Sequence, residues 1–169
     1  MAPAIRRLGA PLYVFGAVLA APPALAQSAS PGKIAASISR LFGPHARVDT
    51  LRVNADTVLR ISRMDSLLGF AEVRNVIGKD QPITFLAAID AADRLKDVDI
   101  LVYREPYGGE VAYDAWRKQF RGKTAAAPLQ VGKDIRSISG ATISVHAVTA
   151  GVRRALAELT NWHRSGAIQ

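Results

Sequence analysis

The chain has 169 residues and a formal net charge of +8, with 22 lysines and arginines against 14 acidic residues. It contains no cysteine, which excludes disulfides, thiolate metal sites, CxxCH haem attachment and cysteine-ligated iron–sulfur clusters. Its histidines, His45, His146 and His163, never fall at HxxxH or HExxH spacing, so no metal site is expected.

The first residues read as an export signal. Arg6 and Arg7 precede the mostly apolar run Leu8 to Ala21, and Ala24-Leu25-Ala26 supplies small residues two positions apart. This pattern predicts a signal peptide over 1–26, cut after Ala26, and a periplasmic location. A retained anchor is the alternative, but the run is short against the ~20 apolar residues of a span, and Gly16 and Pro22-Pro23 interrupt it. Arg6-Arg7 leaves a twin-arginine route open, although Gly9-Ala10-Pro11 follow where such signals become strongly apolar. Cleavage would remove two arginines and no acid, leaving 143 residues at +6, enough for one domain around one core. Basic charge on an exported domain suits an acidic protein or anionic lipid headgroups. Nucleic acid is not expected, because no arginine-rich block is interleaved with aromatics.

Residues 27–32 form a polar lead-in, and the domain is expected over 33–160 with a tail at 161–169. Ile34, Ile38, Leu41 and Phe42 recur at helical spacing from Lys33 until Gly43-Pro44 stop the run. Val48 to Val53 alternates as a strand. Asp56 to Met64 reads as a short helix capped by Asn54 or Asp56. From Leu68 the period changes to two, and Phe70–Ile77 and Ile83–Ile89 flank the turn-forming Gly78-Lys79-Asp80-Gln81-Pro82 as a hairpin. Val98 to Tyr103 is a further strand, and Arg104 to Glu110 is a glycine-containing loop. Tyr113, Trp116, Arg117 and Phe120 suggest a helix over 111–120 that Gly122 closes. Ala141, Val145, Val148, Val152, Leu156 and Leu159 mark a final helix of about five turns. The sum is a single α+β domain with an antiparallel sheet and flanking helices.

Ser139-Gly140-Ala141-Thr142 stands where that last helix begins, with Ser139 at the expected N-cap. A helix start offers N–H groups without internal acceptors and about half a positive charge, so it favours phosphate. Gly140 and Ala141 present little bulk, and Thr142 adds a hydroxyl to the same turn. An ordinary serine cap followed by small residues is the plainer reading of these four positions. His146 lies one turn beyond Thr142 on the same face, as a phosphate contact or an exposed helix histidine. Among Tyr103, Tyr107, Tyr113, Trp116 and Phe120, an aromatic platform would come first from Tyr107 in the glycine loop, whereas Trp116 and Phe120 read as core. No Gly-x-Ser-x-Gly setting or paired carboxylates point to a hydrolase.

Ser139-Gly140-Ala141-Thr142, followed by Ile143-Ser144 and an apolar helix, resembles the flavinylation motif of the FMN-binding domain family. The family includes the periplasmic flavin subunits of sodium-pumping NADH:quinone oxidoreductase and of the Rnf complex. The resemblance extends over the hairpin Leu68 to Asp90 and the approach Gly122-Lys123 through Asp134. It implies FMN joined by a phosphoester to Thr142 through the action of a flavin transferase. It also implies electron transfer to or from a redox partner such as a membrane-bound quinone enzyme or a cytochrome, rather than independent substrate conversion. Membrane association would come only through the partner or an uncleaved leader. Asp134, eight residues before Thr142, takes the place of the family's acidic residue six or seven before it, where this chain has Arg136 and Ile135. Glu105 matches the glutamate of the family's Glu-Thr loop, and Pro106 replaces the threonine. A non-covalent FMN or phosphate-binding module and a non-redox adaptor retaining the fold are the alternatives.

Overall fold

The computed structural model describes residues 29–169; the expected signal peptide over 1–26 lies outside them. Five strands form one antiparallel meander in chain order: β1 (Arg47–Val53), β2 (Asp56–Arg63), β3 (Ser66–Ile77), β4 (Pro82–Asp90) and β5 (Leu95–Val102). Helix α1 (Pro31–Phe42) packs against one face, and α3 (Thr142–Arg164) against the other, with a one-turn helix α2 (Asp114–Arg117) between. Among the described residues no helix is long and apolar enough to cross a membrane. The chain is an α+β domain, as expected.

Strand β4 explains how two cores share one sheet. Phe85, Ala87 and Ile89 enter the core under α3, while Leu86 and Ala88 enter the core under α1. A strand apolar on both faces belongs in the middle of a covered sheet, and β4 lies between β3 and β5. The α3 side holds the fully buried Val145, Val148, Val152, Leu156 and Leu159, which are the apolar stripe read from the sequence.

Two expected helices are not formed. Residues 56–64 are strand β2, joined to β1 by a turn in which Asn54 adopts φ 55°. Asparagine tolerates that left-handed conformation and starts a hairpin instead of capping a helix. Val58 and Ile61, three apart, imitate a helical stripe. In the strand they face opposite ways, Val58 toward the α3 core and Ile61 toward the α1 core. Residues 111–120 form a 3₁₀ turn at Gly109–Ala112, then α2, then a 3₁₀ turn at Lys118–Phe120. Tyr113, extended at φ −74° and ψ 138°, breaks the series. Tertiary bonds hold the interruption: Trp116 Nε1 donates to Arg136 O at 2.8 Å, and the buried Arg117 donates through Nε to Ala112 O at 2.9 Å. Trp116 and Phe120 are core residues in edge contact at 5.1 Å between centroids.

The remaining boundaries move by a few residues. Helix α1 starts at Pro31, two residues before the expected Lys33, with Ser30 as its cap; proline suits a first-turn position because its missing N–H would be unused there. Helix α3 runs past 160 to Arg164, and the segment expected as a tail folds back to bury Ile168. Asp93 fixes this end: its carboxylate meets His163 Nδ1 at 2.7 Å and accepts from Arg164 Nε at 2.8 Å. On the other side of the sheet, the buried Asp97 faces Arg40, Arg117 and Arg121 at 3.3, 3.4 and 3.1 Å. It thereby ties α1 and the 111–121 segment to β5.

Candidate functional site

Three segments distant in sequence meet at one end of the sheet. They are the β3–β4 turn at 78–81, the loop 103–110 after β5, and the start of α3. Between them lies a cleft of about 350 Å³ lined by Lys79, Glu105, Tyr107, Gly140, Thr142 and Ser144, among others. A second recess, bordered by Tyr107, Ser139 and Gly140, leads through Glu110 and Tyr113 into a groove of about 760 Å³ with Trp116, Lys118 and Arg136 on its walls.

Helix α3 opens at Thr142 with Ala141 as its cap and no side-chain capping bond. Ser139 is therefore not the cap; Gly140 at φ 81° turns the chain between it and the helix. The first hydrogen bond of the helix runs from Val145 N–H to Ala141 O at 2.9 Å, so the preceding N–H groups point out of the helix end. Thr142 is exposed, whereas Ala141 is 3% exposed and anchors the turn in the core.

Glu105 is not a solvated loop carboxylate. It is buried, and its Oε1 accepts from the backbone N–H groups of Asp80 at 2.7 Å and Gln81 at 2.9 Å. The Gln81 and Asp80 donors hold this carboxyl below its ordinary value of 4.5. One side chain thus joins the turn that carries Lys79 to the loop that carries Tyr107. Because the folded-state pKa is depressed, this stabilisation is present above pH 4.5 and lost as the pH falls through the folded value. The wild type is accordingly expected to lose thermal stability more steeply than Glu105→Gln as the pH falls below 4.5. Parallel melting-temperature profiles for the two proteins would show that the charge does not hold the turn.

A second junction joins the same loop to α3. Tyr103 Oη donates to Tyr107 O at 2.5 Å and lies 2.9 Å from Ser144 Oγ. Burial raises the Tyr103 phenol above its ordinary value despite the Ser144 bond, so it remains a proton donor here. Gly108, at φ 88°, passes directly over this pair and Ala141.

The other expected residues lie apart from the cleft. Asp134 borders the larger groove, where its carboxylate accepts from Lys123 Nζ at 2.9 Å and from the N–H groups of Leu129 and Gln130 at 3.2 and 2.8 Å. Burial pulls that carboxyl up, but the Gln130 N–H and the Lys123 ammonium outweigh it and hold it below its ordinary value. Asp134 thus shapes its own loop. His146 opens on a separate small groove with Leu129, Val131 and Arg153. The sequence reading missed Lys79, Tyr103 and Ser144 as site residues. Lys79 was visible only as part of a turn, and no local pattern reports that Tyr103 and Ser144, 41 positions apart, would meet.

An α+β domain in which an uncapped helix start opens on a cleft beside a lysine has features that favour a phosphate group. Residues 78–157 match the model of the FMN-binding domain family. The match includes all three segments of the cleft. The chain is therefore a flavin-binding protein with FMN as its cofactor. No curated protein matches the chain.

Proposed function

We propose that the protein is an exported electron-transfer flavoprotein that carries FMN through a phosphoester to Thr142. The observation that carries this reading is the placement of an exposed Thr142 as the first residue of an uncapped α3, in the cleft that also contains Lys79. The first-turn N–H groups and the Lys79 ammonium suit the charge of a phosphodiester. Bound FMN supplies reversible acceptance and release of electrons. Glu105 and the Tyr103–Ser144 pair keep the walls of the cleft together. Tyr107 and Tyr113, 81% and 64% exposed, offer aromatic surface beside the helix start.

Covalent attachment suits a protein outside the cytoplasm, where a released cofactor is not readily replaced. The basic leader ending at Ala26 supports export, and an N-terminus beginning at Gln27 in the secreted protein would test it. Donor and acceptor would be external proteins, a membrane-bound quinone enzyme or a cytochrome among them, and a flavin transferase would load Thr142.

Thr142→Ala, coexpressed with a flavin transferase and exported, is expected to lose all covalent flavin, read by intact mass and in-gel fluorescence after denaturation. Fluorescence that survives denaturation in the variant would overturn the phosphoester. A non-covalent module would show bare polypeptide in both proteins, with flavin binding only weakened by the substitution. An adaptor would bind none.

A further inference from the structure

On the α3 side of the sheet one arginine serves three carboxylates. Arg74 of β3 donates through Nε to Glu72 Oε1 at 2.7 Å and through Nη2 to Glu158 Oε2 of α3, and the same Nη2 lies 4.0 Å from Asp56 at the start of β2. Arg154, one turn before Glu158, donates through Nε to its other oxygen at 2.9 Å. The group therefore sets three carboxylates against two guanidiniums. Glu72 is the deepest of them at 2% exposed, whereas the Glu158 and Asp56 side chains reach solvent.

With Glu72 ionised, this group carries one negative charge in excess, partly out of water; with Glu72 protonated, its charges match. A buried carboxylate without full compensation is costly, while a protonated carboxyl still accepts from Arg74 Nε through its carbonyl oxygen. Burial pushes the Glu72 carboxyl up to about 7 against the pull of Arg74, and Glu158 and Asp56 push it the same way. The other neighbours are apolar or engaged elsewhere. Val58 of β2 and Ala87 of β4 stand opposite Glu72. Arg60, further along β2, has Asp49 at 4.0 Å, and His163 of α3 lies against the Phe70 ring with its Nδ1 on Asp93.

We infer that Glu72, Arg74 and Glu158 form a proton-operated latch between β3 and the second half of α3, closed while Glu72 holds a proton and loosened when that proton is lost. With Glu72 neutral, Arg74 gives its charge to Glu158, and the bridge ties the helix to the sheet. With Glu72 ionised, two carboxylates compete for one guanidinium, and the more exposed Glu158 is the one that can leave for water. Because the folded-state value is raised, the stabilisation is fully present below 4.5 and lost as the pH rises through about 7. Glu105 acts in the opposite direction, its contribution being lost on acidification. The latch does not require flavin, since Glu158 stands about 24 Å along the helix from Thr142 at 1.5 Å per residue.

The test is a carbon-13 NMR titration of the side-chain carboxyls in the full chain, with Glu72 assigned from its missing signal in Glu72→Gln. The Glu72 midpoint is expected near 7. Amide hydrogen exchange, corrected for intrinsic rates, is expected to show protection over residues 152–164 falling about tenfold or more as the pH rises from 4.5 past 7. Glu72→Gln keeps the shape of the neutral carboxyl, so its protection should stay level across that range. Glu158→Gln removes both a repelling charge and a competitor for Arg74, and the Glu72 midpoint should then move down toward 4.5. A wild-type midpoint near 4.5 would overturn the inference. So would an equal fall in protection in Glu72→Gln, which would assign the change to His163 and Asp93, or a Glu72 midpoint unmoved by Glu158→Gln, which would uncouple the proton from α3.

Discussion

A Gly108→Val protein is expected to retain its sheet and lose most of the covalent flavin proposed for Thr142. Gly108 is buried at φ 88°, and a Cβ there would stand 2.7 Å from Tyr103 Oη, 3.1 Å from Ser144 Oγ and 3.2 Å from Ala141 Cβ. Left-handed backbone costs an ordinary L-residue roughly 1–2 kcal/mol, and a β-branched residue is especially ill suited to it. Overpacking adds about 1–3 kcal/mol. The clash can be relieved only by moving the loop off α3, which breaks the contacts from Tyr103 to Ser144 and Tyr107 and opens the cleft wall beside Thr142. Circular dichroism would report the retained fold, and in-gel fluorescence relative to wild type the lost attachment. Full flavinylation of Gly108→Val would mean that the loop is not needed to present Thr142.

Gly151→Leu is the larger perturbation to the fold. Gly151 lies inside α3 where the helix crosses β3 and β4, and a Cβ would meet Val76 Cγ1 at 2.6 Å and the Phe85 ring at 3.0 Å. Phe85 is fully buried in the core under α3, so it has little room to withdraw. In Gly151→Ala the clash is partly offset by about 1 kcal/mol of helix propensity. Leucine adds bulk that this gain does not cover, and a loss of about 3 kcal/mol or more is expected. Against a typical total of about 5–15 kcal/mol, that is enough to lower the denaturation midpoint sharply, measured by urea titration. A midpoint within error of wild type would show that α3 can stand off the sheet without cost.

Part of this protein was legible because its signals are local. The stripe from Ala141 to Leu159, the Gly43-Pro44 stop after α1 and the alternating strands around Gly78–Pro82 each act within a few residues, through periodicity and backbone preference. The motif Ser139 to Thr142 stood out through its resemblance to a family motif, since these four positions alone read as a serine cap followed by small residues, and the cap is in fact Ala141. Strand β2 and the 111–120 segment were misread where apolar spacing had two solutions. Val58 and Ile61 satisfy a helix face or the two faces of a doubly covered sheet equally well, and only the presence of α1 and α3 on opposite sides chooses between them.

Local patterns in the sequence settled the class of fold and the long last helix, and the resemblance to a family motif singled out Thr142 as the expected attachment residue. Tertiary structure decided what surrounds that residue. It brought Lys79 from the β3–β4 turn into the cleft, buried Glu105 against the Asp80 and Gln81 N–H groups, and set Tyr103 beside Ser144. It also placed Asp134 within its own loop and His146 in a different groove. Helix periodicity states which residues share a face but not what that face meets. Which turn closes over a helix end is settled by packing across the sheet, between residues whose separation along the chain leaves no local trace.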